Sequence, residues 1–198
     1  MSLKKATLLI LFVLLIDQIS KVYIKTHFQL FEDVEVFSWF KIYFIENEGM
    51  AWGAKIPGEY GKLALTLFRM VAIVGIGWWL WDSVRKKAPT ILIVSIALIF
   101  AGAFGNIIDS VFYGVLFGDS LNEVATFLPE GGGYGTLLHG KVVDMFSFSF
   151  FNPVFNVADS AISIGVALLI VFNKKAFPKK EEVKKVNEET LAGIEEEE

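Results

Sequence analysis

Four long apolar segments, separated by polar stretches, dominate the hydrophobic pattern of the chain. Each could cross the hydrocarbon core of a bilayer, which needs about 20 helical residues rising ~1.5 Å each. Only the second is nearly free of polar residues in its middle. The pattern therefore predicts an α-helical integral membrane protein with four transmembrane helices, over Leu3–Lys25, Lys62–Trp81, Thr90–Phe112 and Pro153–Phe172.

In the first segment, Lys4 and Lys5 precede the apolar run Ala6–Ile16, as in a secretory signal peptide. No small-x-small cleavage site comes after it, so a retained helix is the better interpretation. Lysine and arginine also follow the second and fourth segments, and basic loops stay in the cytoplasm. We therefore expect both termini to be cytoplasmic, with the segments between the first and second spans and between the third and fourth spans outside.

The first outer segment has the aromatic and β-branched composition of strands, most clearly in Phe37–Ile45. We predict a small extracytoplasmic β-sheet, or cradle, over about residues 27–58. The second outer loop, about 113–141, is long and contains Gly131-Gly132-Gly133. Residues 1–173 would then form one membrane domain, and the Lys/Glu-rich residues 174–198 a disordered cytoplasmic tail.

Composition narrows the classes of function. The chain of 198 residues is 54% hydrophobic, contains no cysteine and only 2 histidines, and has a net charge of −4. A thiol nucleophile or a cysteine metal site is excluded, and the two histidines have no metal-ligand spacing. The modest charge gives no reason to expect nucleic-acid binding, and nothing calls for a metal or another cofactor.

Ionisable side chains inside membrane helices are costly and are candidates for function. Here they recur at one depth, the predicted outer leaflet, although they come from three segments and a loop. Asn152 resembles an N-cap and Pro153 a first helical residue, which would place Asp159 ~9 Å below the start of the fourth helix. The polar residues at this depth are Asp17, Lys21, Asn106, Asp109, Asp144, Asn152, Asn156 and Asp159.

Structural explanations exist for several of these residues. Asn106 and Asn156 could hold helices together through hydrogen bonds, Gly102 could allow close packing, and Asp17 could pair locally with Lys21. Asp144 and Asp159 are different, because the fourth helix offers neither of them a cationic partner.

Two neighbouring carboxylates share one proton, since both cannot ionise easily. Such a pair can activate water and protonate a departing amine, which is the chemistry of an aspartic protease. A glycosidase would need a polar sugar cleft. A transporter or channel would need polar residues through the full membrane depth, and a structural scaffold would not need paired acids. The one-sided polar cluster favours the protease.

Five sequence blocks, in order, are similar to lipoprotein signal peptidase (signal peptidase II), the bacterial intramembrane aspartic endopeptidase. Together they are specific, and the match covers about residues 3–173. The blocks are Asp17-Gln18-Ile19-Ser20-Lys21, Asn47-Glu48-Gly49-Met50-Ala51-Trp52-Gly53, Gly102-Ala103-Phe104-Gly105-Asn106-Ile107-Ile108-Asp109, Val142-Val143-Asp144 and Phe155-Asn156-Val157-Ala158-Asp159-Ser160-Ala161-Ile162.

The resemblance implies that Asp144 and Asp159 are the catalytic pair and that other residues of the blocks bind substrate or support the site. It implies cleavage of prolipoproteins just before a cysteine that carries diacylglycerol, at the outer face of the bacterial inner membrane, with inhibition by globomycin. We expect a monomer in contact with membrane lipid. The supporting residues would be Asp17, Lys21, Asn47, Gly49, Trp52, Gly102, Asn106, Asp109, Asn156 and Ala158.

The sequence departs from the family pattern at Ser110, where many members carry arginine. The positive charge of that arginine is either absent from this protein or supplied by another residue, with Lys21 and Lys141 as candidates. The second outer loop is also long for the family and could cover the site as a lid.

Overall fold

A computed structural model describes residues 1–48 and 60–178 of the chain. Within these residues, the chain forms six helices, four strands and a π-helical turn. The elements are α1 (Leu3–His27), β1 (Asp33–Phe37), β2 (Phe40–Asn47), α2 (Gly61–Arg85), α3 (Thr90–Ile108), the π-helical turn (Asp109–Tyr113), α4 (Gly114–Leu116), β3 (Val142–Phe148), β4 (Phe151–Phe155), α5 (Val157–Val171) and α6 (Asn173–Ala176).

Three helices in the described part of the chain are long and apolar enough to cross a membrane: α1, α2 and α3 with its continuation to Leu116. The α3 span lies at the centre of the helix bundle, since 56% of its most apolar stretch is buried, against 28% for α1 and 17% for α2. It packs against α1, α2 and α5. Because α3 has a helix on several sides, polar residues along it can meet polar residues from its neighbours.

The fourth predicted span is shorter than expected. Residues 151–155 form strand β4, so the predicted N-cap at Asn152 and helix start at Pro153 are wrong. Helix α5 begins at Val157, and Asn156 is its N-cap. Its 15 residues rise only about 22 Å. Because the helix begins at Val157, Asp159 lies in its first turn rather than deeper.

Close contact between α3 and α5 requires glycine at Gly102. A Cβ atom built there would lie 2.2 Å from the Ala158 carbonyl oxygen and 2.7 Å from Ile162 Cγ1. Gly105, one turn later, faces Asp17 in the same way, with a built Cβ 2.6 Å from its Oδ2. The two glycines therefore let α1 and α5 approach the backbone of α3 where the polar residues lie.

Replacing Gly102 by alanine should separate α3 from α5 and lower the melting temperature, because the contact is with backbone that cannot move aside. Overpacking of this kind costs about 1–3 kcal/mol. Gly75→Ala in α2 is the matched control, since no atom lies within 4 Å of a Cβ there. Thermal unfolding in detergent compares the two variants. Equal melting temperatures would contradict this account of the helix contact.

The four strands form one antiparallel sheet in the order β1-β2-β3-β4. The sheet therefore extends beyond the predicted range of 27–58, because β3 and β4 follow the second outer loop. The strand-like run Phe37–Ile45 lies in the β1–β2 hairpin, with a turn at Ser38 and Trp39 between the two strands. In the β2–β3 register, Ile45 lies opposite Asp144.

The second outer loop packs back on the protein between the sheet and the end of α3. Phe117 and Ala125 from the loop join Phe44, Val143 and Met145 in a buried apolar cluster beneath the sheet. Backbone hydrogen bonds also tie the loop to the chain after α1, including Leu30 N to Ser120 O at 2.8 Å. The loop therefore supports the sheet that carries Asp144.

Candidate active site

A buried ion-pair cluster joins α1 to the end of α3. The Lys21 ammonium lies 3.0 Å from Asp17 Oδ2 and 2.8 Å from Asp109 Oδ2. It also donates a hydrogen bond of 2.8 Å to Asn106 Oδ1. All three charged side chains are fully buried. Each therefore depends on the others, because an unpaired charge in such a place is strongly unfavourable.

Gln18 and Tyr113 extend this cluster, and the sequence interpretation did not assign a role to either side chain. Gln18 Nε2 donates to Asp17 Oδ2 and Asp109 Oδ1, at 3.0 and 3.1 Å, and accepts a bond from the Tyr113 hydroxyl on Oε1. The π-helical turn that begins at Asp109 carries Tyr113 as well. Such turns occur mostly within helices and often at functional sites.

Two asparagines connect Asp144 to Asp159. Asn156 Nδ2 donates to Asp144 Oδ1 at 2.7 Å and to Asn106 Oδ1 at 3.1 Å. Asn106 Nδ2 in turn donates to Asp159 Oδ1 at 2.7 Å. The two carboxylates, 15 residues apart in sequence, therefore belong to one hydrogen-bonded network, and its other end is Lys21.

Asn156 is also the N-cap of α5. Its Oδ1 accepts a hydrogen bond of 2.8 Å from the backbone N–H of Asp159. Asp17 Oδ1 accepts one of 2.9 Å from the N–H of Ala158. The start of α5 is thus held by side chains of the site, and Asp159 lies where the partial positive charge of the helix end favours a carboxylate.

Asp144 lies on strand β3 and is only 1% exposed, whereas Asp159 is half-buried. Asn47 on the neighbouring strand β2 donates a hydrogen bond to Asp144 Oδ2. Burial raises the pKa of Asp144 well above its usual value, and the negative charge of Asp159 raises it further. Asp144 is therefore the carboxyl whose environment favours the protonated form.

Arg69 is a charged residue that the sequence interpretation passed over when it described the second segment as nearly free of polar residues. It lies on α2 and interacts electrostatically with Asp159, Asp109 and Asp144. The signal that could have identified it is its charge in the middle of an apolar span.

Neither Ser110 nor Lys141 supplies the positive charge that the family pattern places after Asp109. Ser110 is buried and donates to the Asn106 carbonyl at 2.9 Å, and Lys141 pairs with Glu46 at 3.3 Å. Lys21 reaches Asp109 directly.

The structure brings together all of the predicted site residues that it describes. Gly49 and Trp52 lie outside the described residues.

An apolar cavity of about 410 Å³ opens beside Asp159. Aromatic side chains of β3, β4 and the turn between them line one part of it, and Ser163 and Ile164 of α5 another. Within residues 1–48 and 60–178, no group of His, Cys, Asp and Glu side chains is arranged to hold a metal ion.

Comparison with known proteins gives a consistent result. The family model for signal peptidase (SPase) II matches residues 9–174. The chain belongs to the signal peptidase II family. Its sequence is 44% identical to a lipoprotein signal peptidase of Porphyromonas gingivalis over 188 residues, covering 85% of this chain and 82% of the relative. It is 32% identical to one of Syntrophus aciditrophicus, covering 80% and 85%.

A solved structure of a bacterial membrane enzyme, determined by the in meso method at 2.3 Å resolution, has a similar fold. The TM-score is 0.64 at 27% identity, over 90% of this chain and 93% of that one. A second such structure, at 1.9 Å resolution, gives 0.63 at 29% identity. The resemblance found in the five blocks is confirmed: this signal peptidase II is a multi-pass membrane protein of a protease family that removes signal peptides from prolipoproteins.

Proposed function

We propose that Asp144 and Asp159 are the catalytic pair of this signal peptidase II and that they share one proton. The observation that carries the proposal is the asparagine connection through Asn156 and Asn106, which links the two carboxyls. In this assignment Asp144, buried and next to a second acid, holds the proton. Asp159, at the amino end of α5, is the ionised member.

Hydrolysis then needs only water and the two carboxyls. Asp159 accepts a proton from a water molecule as the water oxygen attacks the scissile carbonyl carbon. At the same time Asp144 donates its proton to the carbonyl oxygen. The tetrahedral intermediate collapses when the nitrogen takes the proton from Asp159 and the carbon–nitrogen bond breaks. Asp144 recovers its proton from the hydroxyl, and the pair is ready for another substrate.

The substrate that fits this site is a prolipoprotein whose cysteine carries diacylglycerol, cut just before that cysteine. The apolar cavity beside Asp159 could hold an acyl chain or the apolar part of the signal peptide. Binding energy from such a distant apolar group can position the scissile bond against the carboxyls. Globomycin-type inhibitors would compete for the same space.

The membrane arrangement is part of the proposal. We infer four spans, with α5 as the fourth, both termini in the cytoplasm, and the pair at the extracytoplasmic side of the bacterial inner membrane. The basic residues before α1, after α2 and after α5 support this orientation. A monomer suffices, since the helices and strands of one chain supply every described residue of the site.

A cleavage assay with purified protein tests the substrate assignment. The diacylglyceryl-modified precursor should be cut just before its cysteine, as read by mass spectrometry, and globomycin should stop the reaction. The same precursor without its lipid is the matched control and should be cut far more slowly, because the lipid anchors the scissile bond at the site. Equal cleavage of the two would contradict the lipid requirement.

The raised pKa of Asp144 predicts two responses to pH. Cleavage should decline on the alkaline side, because the pair loses the shared proton. Stability should also decline as pH rises, since a carboxyl whose native pKa is raised stabilises the fold only while it remains protonated. Asp144→Asn removes the carboxyl that causes this pH dependence of stability. The melting temperature of the variant should therefore rise relative to that of wild type as pH increases. Asp33→Asn, at an exposed carboxyl, should show no such trend.

A further inference from the structure

Arg69 occupies an unusual position for a charged residue. It lies eight residues after Gly61, which begins α2, and hence about 12 Å along the helix. Its neighbours Phe68 and Val71 are 69% and 74% exposed on the side where membrane lipid would lie. A charge at this depth is costly unless it has a function or a partner.

The guanidinium is directed inward rather than toward lipid. Thr66, one turn earlier, donates a hydrogen bond of 3.1 Å to the Leu138 carbonyl in the second outer loop. Ile73, one turn later, is buried against Ile107 and Val111 at the end of α3. Arg69 lies on the same face of α2 as these two residues, which is the face packed against the active site.

One nitrogen of Arg69 has no partner. Nη1 is buried and makes no hydrogen bond to any described residue. A buried donor without an acceptor is unfavourable, because it has lost its hydrogen bonds to water. In the described part of the chain, the other cations around the site already have partners: Lys21 and Lys141 pair with acidic side chains, and Lys62 donates to the Glu48 carbonyl at 2.7 Å. Arg69 is therefore a cation near the pair with a buried donor still available to a ligand.

The charges around Arg69 indicate what that donor would bind. Among the described residues, the four carboxyls of Asp17, Asp109, Asp144 and Asp159 outnumber the cations near them, which are Lys21, Lys62 and Arg69. An anionic ligand would be repelled by this acidic surrounding. A neutral acceptor with an exposed lone pair, such as a carbonyl oxygen, can take the hydrogen bond without that penalty.

We propose that Arg69 is a substrate-positioning residue whose Nη1 donates a hydrogen bond to a peptide carbonyl of the precursor beside the scissile bond. The inference rests on the proposed function of the aspartate pair. In this role the α2 guanidinium holds the peptide from the side opposite α5, so that the scissile carbonyl lies between the two carboxyls.

Direct binding tests the inference apart from cleavage. The probe is a synthetic lipopeptide that contains the cleavage site and a diacylglyceryl cysteine, added in detergent micelles to Asp144→Asn protein. Adding Arg69→Gln should weaken binding about tenfold or more, the worth of a hydrogen bond from a charged donor. Arg85→Gln makes the same change at the exposed end of α2 and should leave the dissociation constant unchanged.

Two outcomes separate the inference from the proposed function. If Arg69→Gln in the Asp144→Asn protein binds the probe as tightly as the parent, the Arg69 inference is overturned while the aspartate pair stands. If the Asp144→Asn protein still cuts the probe at the wild-type rate, the proposed function is overturned. An ether-linked lipid removes the ester carbonyls. Loss of the Arg69 effect with that probe would assign the hydrogen bond to the lipid and overturn the peptide assignment.

Arg69→Lys distinguishes positioning from a purely electrostatic effect on the carboxyls. Lysine keeps the charge but loses the planar, forked donor. Positioning predicts that Arg69→Lys raises KM several-fold and leaves the pH profile of cleavage in place. If Arg69 acts only through its charge, Arg69→Lys should behave as wild type, and that result would overturn the proposal. Thermal unfolding of Arg69→Lys checks that the variant is folded.

Discussion

Asparagine at either Asp144 or Asp159 should lower the cleavage rate of a diacylglyceryl-modified precursor by at least about 10³-fold. Asparagine keeps the size of the side chain but can neither accept a proton from water nor return one to the leaving nitrogen. Each general acid–base role contributes about 10²–10⁴-fold, and the two roles act as a unit. The measurement is single-turnover cleavage by purified protein in detergent, with enzyme in excess of precursor.

The variants must be folded for this result to count. Asp159 is half-buried at the start of α5, and Asn at Asp144 should if anything stabilise the protein at high pH, so both should melt near wild type. Asp33→Asn is the control for loss of a carboxylate, because Asp33 lies on β1 with its side chain 48% exposed. A folded Asp144→Asn or Asp159→Asn protein with full activity would rule out the pair.

Methionine at Lys21 should have the largest effect on stability. The substitution leaves Asp17 and Asp109 buried next to each other without the ammonium that contacts both, and loss of one partner from a buried ion pair costs about 3–5 kcal/mol. Asn106 and Gln18 cannot compensate, because neither carries a positive charge. Thermal or chemical unfolding in detergent, followed by the fluorescence of tryptophan, measures the loss.

Lys41→Met is the matched control. Lys41 pairs with Asp33 at the same 3.0 Å that separates Lys21 from Asp17, but both side chains of the Lys41 pair are nearly half exposed. Such a pair contributes about 0–1 kcal/mol. Combining Lys21→Met with Asp109→Asn should recover part of the loss, since one uncompensated charge is removed. A Lys21→Met protein as stable as Lys41→Met would refute the buried-cluster account.

The sequence predicted which polar residues form the site better than it predicted the bounds of the helices and strands on which they lie. Charged residues in apolar segments are rare enough that Asp17, Lys21 and Asp109 could be identified from the pattern alone, and the structure places them together. The fourth helix was predicted to start too early, because Asn152-Pro153 resembles a helix start locally. Pairing of β4 with β3 occupies that stretch instead, and no local signal reports such a pairing.

The sheet and Arg69 could not be placed from the sequence for different reasons. Ile45 and Asp144 lie opposite each other in the β2–β3 register, about a hundred residues apart in sequence, and a contact of that range is set by the packed fold. Arg69 was visible as a charge within an apolar span. Its relation to the carboxyls depends on the rotation of α2 about its axis, which packing against α3 determines.

The sheet and the helices each hold one member of the proposed pair. Asp144 belongs to β3 of the sheet, and Asp159 belongs to α5 of the helix bundle. The gap between the carboxyls is therefore set by how the sheet is seated on the helix bundle. Helices tilt to match the thickness of a bilayer, and aromatic side chains at the sheet edge, such as Phe150, are exposed and suited to the lipid interface. We accordingly expect lipid chain length to act as a mechanical control on cleavage, with one bilayer thickness at which the gap suits the scissile bond.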